Sequence, residues 1–141
     1  MNSTEISAVT AANAELYAAF EAGDIDRMSV VWDPDDDVVC VHPGWPPVSG
    51  RGRVLRSWSV IMANTVYIQF FLTGIVARVE GDVAVVTCEE NILTGVADDA
   101  GGLAESARAC ATNVFRRRGS EWRLWVHHAS PVIAPSGPSF S

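Results

Sequence analysis

Residues 111–131 read ATNVFRRRGSEWRLWVHHASP. Two β-rich runs, 105–118 and 121–133, flank the turn signal RGSE at 118–121. Side chains along a strand alternate between faces. Trp122, Leu124, Val126 and His128 therefore share one face of the second run, and Arg123, Trp125 and His127 share the other. The bulkier series is expected to meet the core. That choice sends His128 inward, lets Ser130 continue the inner series, and leaves His127 outside.

Residues 65–80 and 82–95 carry the same β-rich pattern, with the turn signals EGD at 80–82 and DDAGG at 98–102. Connections this short make the four runs an antiparallel meander. Runs longer than the usual five or six residues must curl, and Gly74 and Gly95 are the expected bend points. Upstream the period changes. Ile6, Val9, Asn13, Tyr17 and Phe20 recur at helical steps within 4–22, and Gly23 stops that helix. Asp24 caps a second helix, IDRMSVVW, which Asp33-Pro34 ends. DVVCVH at 37–42 reads as a strand, and Val54, Leu55, Trp58, Ile61 and Met62 mark a third helix over 52–64. The fold class is α+β: three N-terminal helices packed on a curved, mostly antiparallel sheet, forming one domain over 1–133. The tail 134–141, low in core formers, is expected to be flexible. The wide end of such a cone is hard to fill with side chains, which leaves a ligand pocket.

Composition narrows the function. The chain has 141 residues, 48% hydrophobic and 19% charged, as a globular domain should. Its net charge is −7 and all ten basic residues are arginine. The cluster Arg116–Arg118 runs into a turn and reads as a solvated strand end, so no nucleic-acid partner is expected. No apolar run has the roughly 18 residues of a membrane helix, and the first residues lack a basic, apolar signal segment. A cytoplasmic protein with no membrane contact is expected. Cys40, Cys88 and Cys110 are odd in number and set in apolar runs, consistent with reduced thiols. Both faces of 83–93 are apolar enough to need cover, which predicts a homodimer through the outer sheet face.

The chemistry-bearing residues gather at strand ends. His42 closes the first strand, followed by a Pro- and Gly-broken turn holding Trp45. His42 and His128 can converge, and imidazole exchanges protons near neutral pH. Glu89 shares its face with Thr87 and Asn91, the more polar series, and is expected to point inward toward a partner such as His128, Asn113 or an arginine. Asn113 sits on the face of Ala109, Ala111 and Phe115. The expected catalytic set is His42, His128 and Glu89. The expected ligand contacts are Trp45, Trp58, Asn113, Tyr17 and Ser130. Tyr17, Phe20, Trp32, Trp58 and Phe71 also serve as core aromatics. Neighbouring strand residues point opposite ways, so His127 and His128 cannot share an ion, and no metal site is expected. Gly-rich phosphate loops, nucleophile elbows, CxxC and HExxH motifs are absent, so no cofactor is expected.

The order helix–helix–strand–helix–meander, with CVHPGW, GRGRVLRSW and ATNVFRRRGSEWRLWVHHASP, resembles the nuclear-transport-factor-2-like superfamily, in its SnoaL-like branch. The likeness covers about residues 4–133. The W…HHxS ending is also similar to that of the calcium/calmodulin-dependent kinase II association domain. The resemblance implies a cystatin-like cone with a pocket, usually a homodimer. Members include polyketide cyclases, steroid isomerases, epoxide hydrolases, dehydratases and non-catalytic binding or assembly domains. The cyclase and isomerase branches use a pocket aspartate, whereas no aspartate lies within these four meander strands. Proton transfer would then fall to His42, His128 or Glu89. The expected function is binding of a small apolar or amphipathic molecule, with cofactor-independent isomerisation, cyclisation, dehydration or hydrolysis. The alternative is a non-catalytic binding or assembly module that uses His127, Trp125 and Arg123 on the outer face.

Overall fold

The structure, a computed structural model, describes residues 3–95 and 104–133. Helix α1 spans Ser3–Ala22, α2 Ile25–Val31 and α3 Arg51–Ala63. Strands β1 (Val39–Val41), β2 (Val48–Ser49), β3 (Tyr67–Glu80), β4 (Val83–Gly95), β5 (Ala104–Arg118) and β6 (Glu121–Pro131) form one sheet in the order β2-β1-β6-β5-β4-β3. The expected meander is β3–β6, antiparallel throughout, while β1 joins the far side of β6 in parallel. The two-residue strand β2 has no signal in the sequence. The turn signal at 98–102 and the tail at 134–141 lie outside the described residues.

Local chemistry explains the boundaries. The Asp24 carboxylate accepts the Arg27 backbone N–H at the start of α2, as a helix cap does. The helix stops at Val31, with Trp32 already extended. Val9, Leu16, Met28, Trp32, Val54, Val86, Phe115 and Leu124 fill the space between helices and sheet. Gly74 has φ +60° at an irregularity between Thr73 and Val76, and β3 bends there. Gly95 makes no bulge; a Cβ there would come within 3.1 Å of the Tyr67 Cβ, so this glycine permits a close strand approach instead. Phe71, expected in the core, lies 53% exposed on the outer sheet face beside Asn91 of β4.

The arginine cluster is a lock rather than a solvated end. Asp33 is fully buried where α2 gives way to β1. Arg118 donates from Nε to its Oδ1 at 2.6 Å, and Arg116 donates to its Oδ2 at 2.7 Å. Arg51 ties down the same corner by donating to the Trp32, Asp33 and Ser29 carbonyls. Burial alone would push the Asp33 carboxyl up, but the two guanidiniums outweigh it and hold the group below the usual carboxylate range. The Asp33, Asp35 and Asp37 carboxylates lie close together, yet Arg116 and Arg118 already take up their charge.

Register decides what faces the core. Between β5 and β6, Val114 pairs with Val126 but Phe115 pairs with Leu124, leaving Trp125 as an extra residue in β6. Two residues on one strand against one on its partner make a β-bulge, and the alternation slips by one place across it. Trp122 and Leu124 are buried as expected; beyond the bulge the buried residues are His127 and Ala129. His128 and Ser130 therefore face out, contrary to the strict alternation of the sequence reading. In β4 the buried series is Ala84, Val86, Cys88 and Glu90, so Glu89 faces out as well. There it pairs with Arg108 at 2.5 Å. The helices cover the more apolar face of β4, and the polar series is left to the outside.

Removing one partner of a buried ion pair strands the other charge. Asp33→Ala is therefore expected to lower the unfolding free energy by about 3 kcal/mol in urea titrations. A loss below about 1 kcal/mol would contradict the locking role.

Candidate functional site

The parallel pairing of β1 with β6 sets Cys40 level with His127 on the inner face. One residue past β1, His42 begins a turn in which the Trp45 N–H bonds the His42 carbonyl at 2.9 Å. Gly44 takes φ +82° in that turn, a conformation a side chain would strain. The reversal brings the Trp45 ring against His42, with centroids 4.9 Å apart. From α3, Trp58 packs edge-on against His42 at 4.7 Å and, tilted by 44°, against His127 at 5.7 Å. The two imidazole centroids lie 6.5 Å apart.

Hydrogen bonds fix how each imidazole is protonated. Ser57 Oγ gives its proton to the Val54 carbonyl at 2.6 Å. It can only accept from His42 Nε2, 2.9 Å away, so His42 carries its proton on Nε2. His127 Nδ1 lies 2.5 Å from Asn113 Oδ1, an oxygen with no proton to give. His127 is therefore protonated on Nδ1, and its Nε2 lone pair has no partner among the described residues. Burial pushes the His42 pKa down to about 4. Burial, with lesser contributions from His42 and His128, pushes His127 down to about 3. Both rings are neutral at physiological pH.

The chain of contacts continues behind His127. Asn113 Nδ2 donates to Asn13 Oδ1 at 2.8 Å and to the Tyr17 oxygen at 3.2 Å. The Tyr17 hydroxyl donates to Glu90 Oε2 at 2.6 Å. Glu90 is only 3% exposed, and burial drives its carboxyl upward while the Tyr17 bond partly opposes that. Burial and the neighbouring Glu90 charge drive the Tyr17 phenol upward, so it remains a hydrogen-bond donor at all relevant pH values.

These groups surround a cavity of about 280 Å³. Phe20, Trp45, Trp58, Ile61, Ile68, Phe70 and Ile92 make its apolar walls. Tyr17, His42, Glu90 and His127 make its polar part. An engineered cavity of about 150 Å³ holds benzene, so this one suits a body of one or two rings.

Of the residues expected from sequence, His42, Trp45, Trp58 and Tyr17 line the cavity. Asn113 is fully buried but stands behind His127 rather than at the wall. His128 lies on the outer face, Glu89 is tied to Arg108, and Ser130 sits outside with its oxygen 3.3 Å from Cys110 Sγ. The residues that sequence reasoning missed are their immediate neighbours His127 and Glu90, together with Asn13. Asn13 had a signal, as the polar member of the inward stripe of α1. Glu90 had one in the apolar Ala84–Val86–Cys88 series it ends. His127 had none, because nothing in WRLWVHH announces a bulge. The three cysteines are free thiols, with Cys40 and Cys88 buried and Cys110 exposed. No helix among the described residues is long and apolar enough to cross a membrane.

Comparison with known proteins accords with this geometry. The family model described as a SnoaL-like domain matches residues 9–135. A crystal structure from Streptomyces avermitilis, named as a candidate dehydratase of the NTF2-like family, is 50% identical, with TM-score 0.89, covering 94% of this chain and 100% of that one. A candidate calcium/calmodulin-dependent protein kinase type II association domain from Thiobacillus denitrificans is 32% identical, with TM-score 0.75, over 87% of this chain and 94% of that one. An NTF2-like protein of cystatin-like fold from Novosphingobium aromaticivorans, 20% identical with TM-score 0.72, covers 91% of this chain and 82% of that one and shares the fold. A comparison with curated proteins finds no match. On the family model and these relatives, the chain belongs to the SnoaL-like branch of the NTF2-like superfamily, with the cystatin-like α+β fold.

Proposed function

We propose that the protein is a cofactor-independent acid–base enzyme of the dehydratase or isomerase type, acting on a small, largely apolar molecule. The observation that carries this reading is Glu90: a carboxyl group 3% exposed, braced on one oxygen by Tyr17, at the wall of an apolar cavity. Burial moves such a group toward neutral pH, where one carboxyl both takes and returns a proton efficiently. The carboxylate removes a proton from carbon, which becomes the Oε1 proton. Returning that proton to another carbon isomerises the substrate. Delivering it to a departing hydroxyl expels water and leaves a double bond, and Glu90 ends as it began. His127, held neutral, acts through Nε2 as a hydrogen-bond acceptor that orients the substrate rather than as an acid, while His42, engaged by Ser57 and Cys40, forms part of the wall. The Streptomyces avermitilis relative, named as a candidate dehydratase, supports elimination among these reactions.

A homodimer through the outer sheet face belongs to the same proposal. Val85, Val114, Val126 and Val39 stand in register across β4, β5, β6 and β1 on that face, opposite the one that the described helices cover. A continuous apolar row of this kind is what a second copy would bury. The relative named as an association domain fits such a use of the face.

Glu90→Gln keeps the shape and the Tyr17 bond but cannot exchange a proton. It is expected to lower turnover of β-hydroxy ketones, followed by the absorbance of the conjugated product, by roughly 100-fold or more. The wild-type rate should fall as pH drops through the raised Glu90 pKa, at higher pH than for an ordinary glutamate, because the working base is the carboxylate. A glutamine variant with undiminished turnover would refute the role. Light scattering should give twice the 15.1 kDa chain mass for the wild type and a single chain mass for Val114→Arg. A monomeric wild type would refute the dimer.

A further inference from the structure

We propose that Asn113, which does not touch the cavity, is a positioning residue that fixes the hydrogen-bond polarity of the site. It thereby selects an uncharged ligand presenting a donor to His127 and an acceptor or exchanging proton to Glu90. The ligand class rests on the cavity reading above, whereas the positioning role rests on the hydrogen bonds alone.

A carboxamide has one oxygen that only accepts and one nitrogen that only donates. Asn113 Oδ1 faces His127 Nδ1, so His127 must donate there and turn an unprotonated Nε2 to the remaining space. Asn113 Nδ2 is spent on Asn13 Oδ1 and on the Tyr17 oxygen. Because Tyr17 already accepts from Asn113, its single proton goes to Glu90 Oε2. Any proton that Glu90 itself carries is then on Oε1. One buried amide thus dictates an acceptor at His127 and the side of Glu90 on which a proton is exchanged. Asn13 Oδ1 favours this orientation, since reversing Asn113 alone would set two amide oxygens 2.8 Å apart. Tyr17, Asn113 and His127 come from α1, β5 and β6, and Asn113 is level with His127 across the β5–β6 ladder. The amide therefore couples groups that their own strands would leave independent.

The charge class follows from the lining. The chain has no lysine, and none of its ten arginines lines the cavity. A carboxylate or phosphate ligand would meet Glu90, the His127 acceptor and aromatic walls with no cation to offset it. A hydroxyl on a flat ring body meets acceptors it can satisfy. Leaving the buried acceptor unpaired is costly, so a ligand lacking the hydroxyl should bind at least tenfold more weakly.

Two measurements on the intact protein test this. Long-range proton–nitrogen NMR of histidine-labelled protein should show His127 as the neutral Nδ1–H form in the wild type. In Asn113→Ala that form should give way to Nε2–H or a mixture. Asn113→Asp, which supplies a carboxylate to the ring, should raise the His127 titration well above the wild-type value. By calorimetry, 2-naphthol should bind the wild type at least tenfold more tightly than 2-methoxynaphthalene, with 2-naphthoate weakest. Asn113→Ala should shrink the naphthol preference to threefold or less. A wild-type His127 protonated on Nε2, or a tautomer unmoved in Asn113→Ala, would overturn the positioning role. A wild type that prefers naphthoate, or shows no preference for naphthol, would overturn the ligand class. The wild-type tautomer is read without any variant having to fold. It is also independent of turnover, so an active Glu90→Gln would refute the catalytic reading and leave the polarity standing.

Discussion

The extra residue at Trp125 shifts β6 by one place against β5, and the interior of the protein is arranged around that shift. Before it, the alternation of β6 supplies Trp122 and Leu124 to the core. Beyond it, the same strand supplies an imidazole instead of a valine. Without the bulge His127 would point outward and Asn113 would have no ring to bond. With it, the amide, Tyr17 and Glu90 form one hydrogen-bonded series from β6 through β5 and α1 to β4. A single backbone irregularity thus decides which imidazole of the adjacent pair, His127 rather than His128, joins the polar end of the cone.

That polar end is tolerable because almost every group in it is answered. A buried amide, phenol or imidazole left unpaired costs free energy on the order of 1–3 kcal/mol. Asn113 and Tyr17 are satisfied among the described residues, while His127 Nε2, Glu90 Oε1 and the buried Trp58 Nε1–H are left over. The unanswered acceptor and the raised Glu90 carboxyl share the cavity that also holds the aromatic walls. Stability is supplied elsewhere. The Asp33 lock with Arg116 and Arg118 fastens the α2–β1 connection to the closed end of the β5–β6 hairpin, away from the site.

Much of this was legible in the sequence, and the failures are instructive. Helical spacing in 4–22 and 52–64, the Asp24 cap and the turn signals at 80–82 and 118–121 determined the fold, because each is a local preference that tertiary packing reinforced. His42, Trp45, Trp58 and Tyr17 could be placed at the cavity for the same reason. His128, Glu89 and Ser130 could not, since choosing a strand face is a binary decision that one bulge or one wrong assumption about the covered side reverses completely. For Glu89 the error was to send the polar series inward, when the helices cover whichever face is most apolar. For His128 and Ser130 no local signal existed, because the bulge at Trp125 lacks a glycine and is set by register with β5.

The polar network exists only if His127, and not His128, turns inside. Nuclear Overhauser contacts between the Trp58 indole protons and the histidine ring protons measure this directly, the Trp58 and His127 centroids being 5.7 Å apart. Contacts from His127 to Trp58, with none from His128, are the expected result. Contacts from His128 in their place would mean that β6 runs without its bulge, and the polar network described here would not exist.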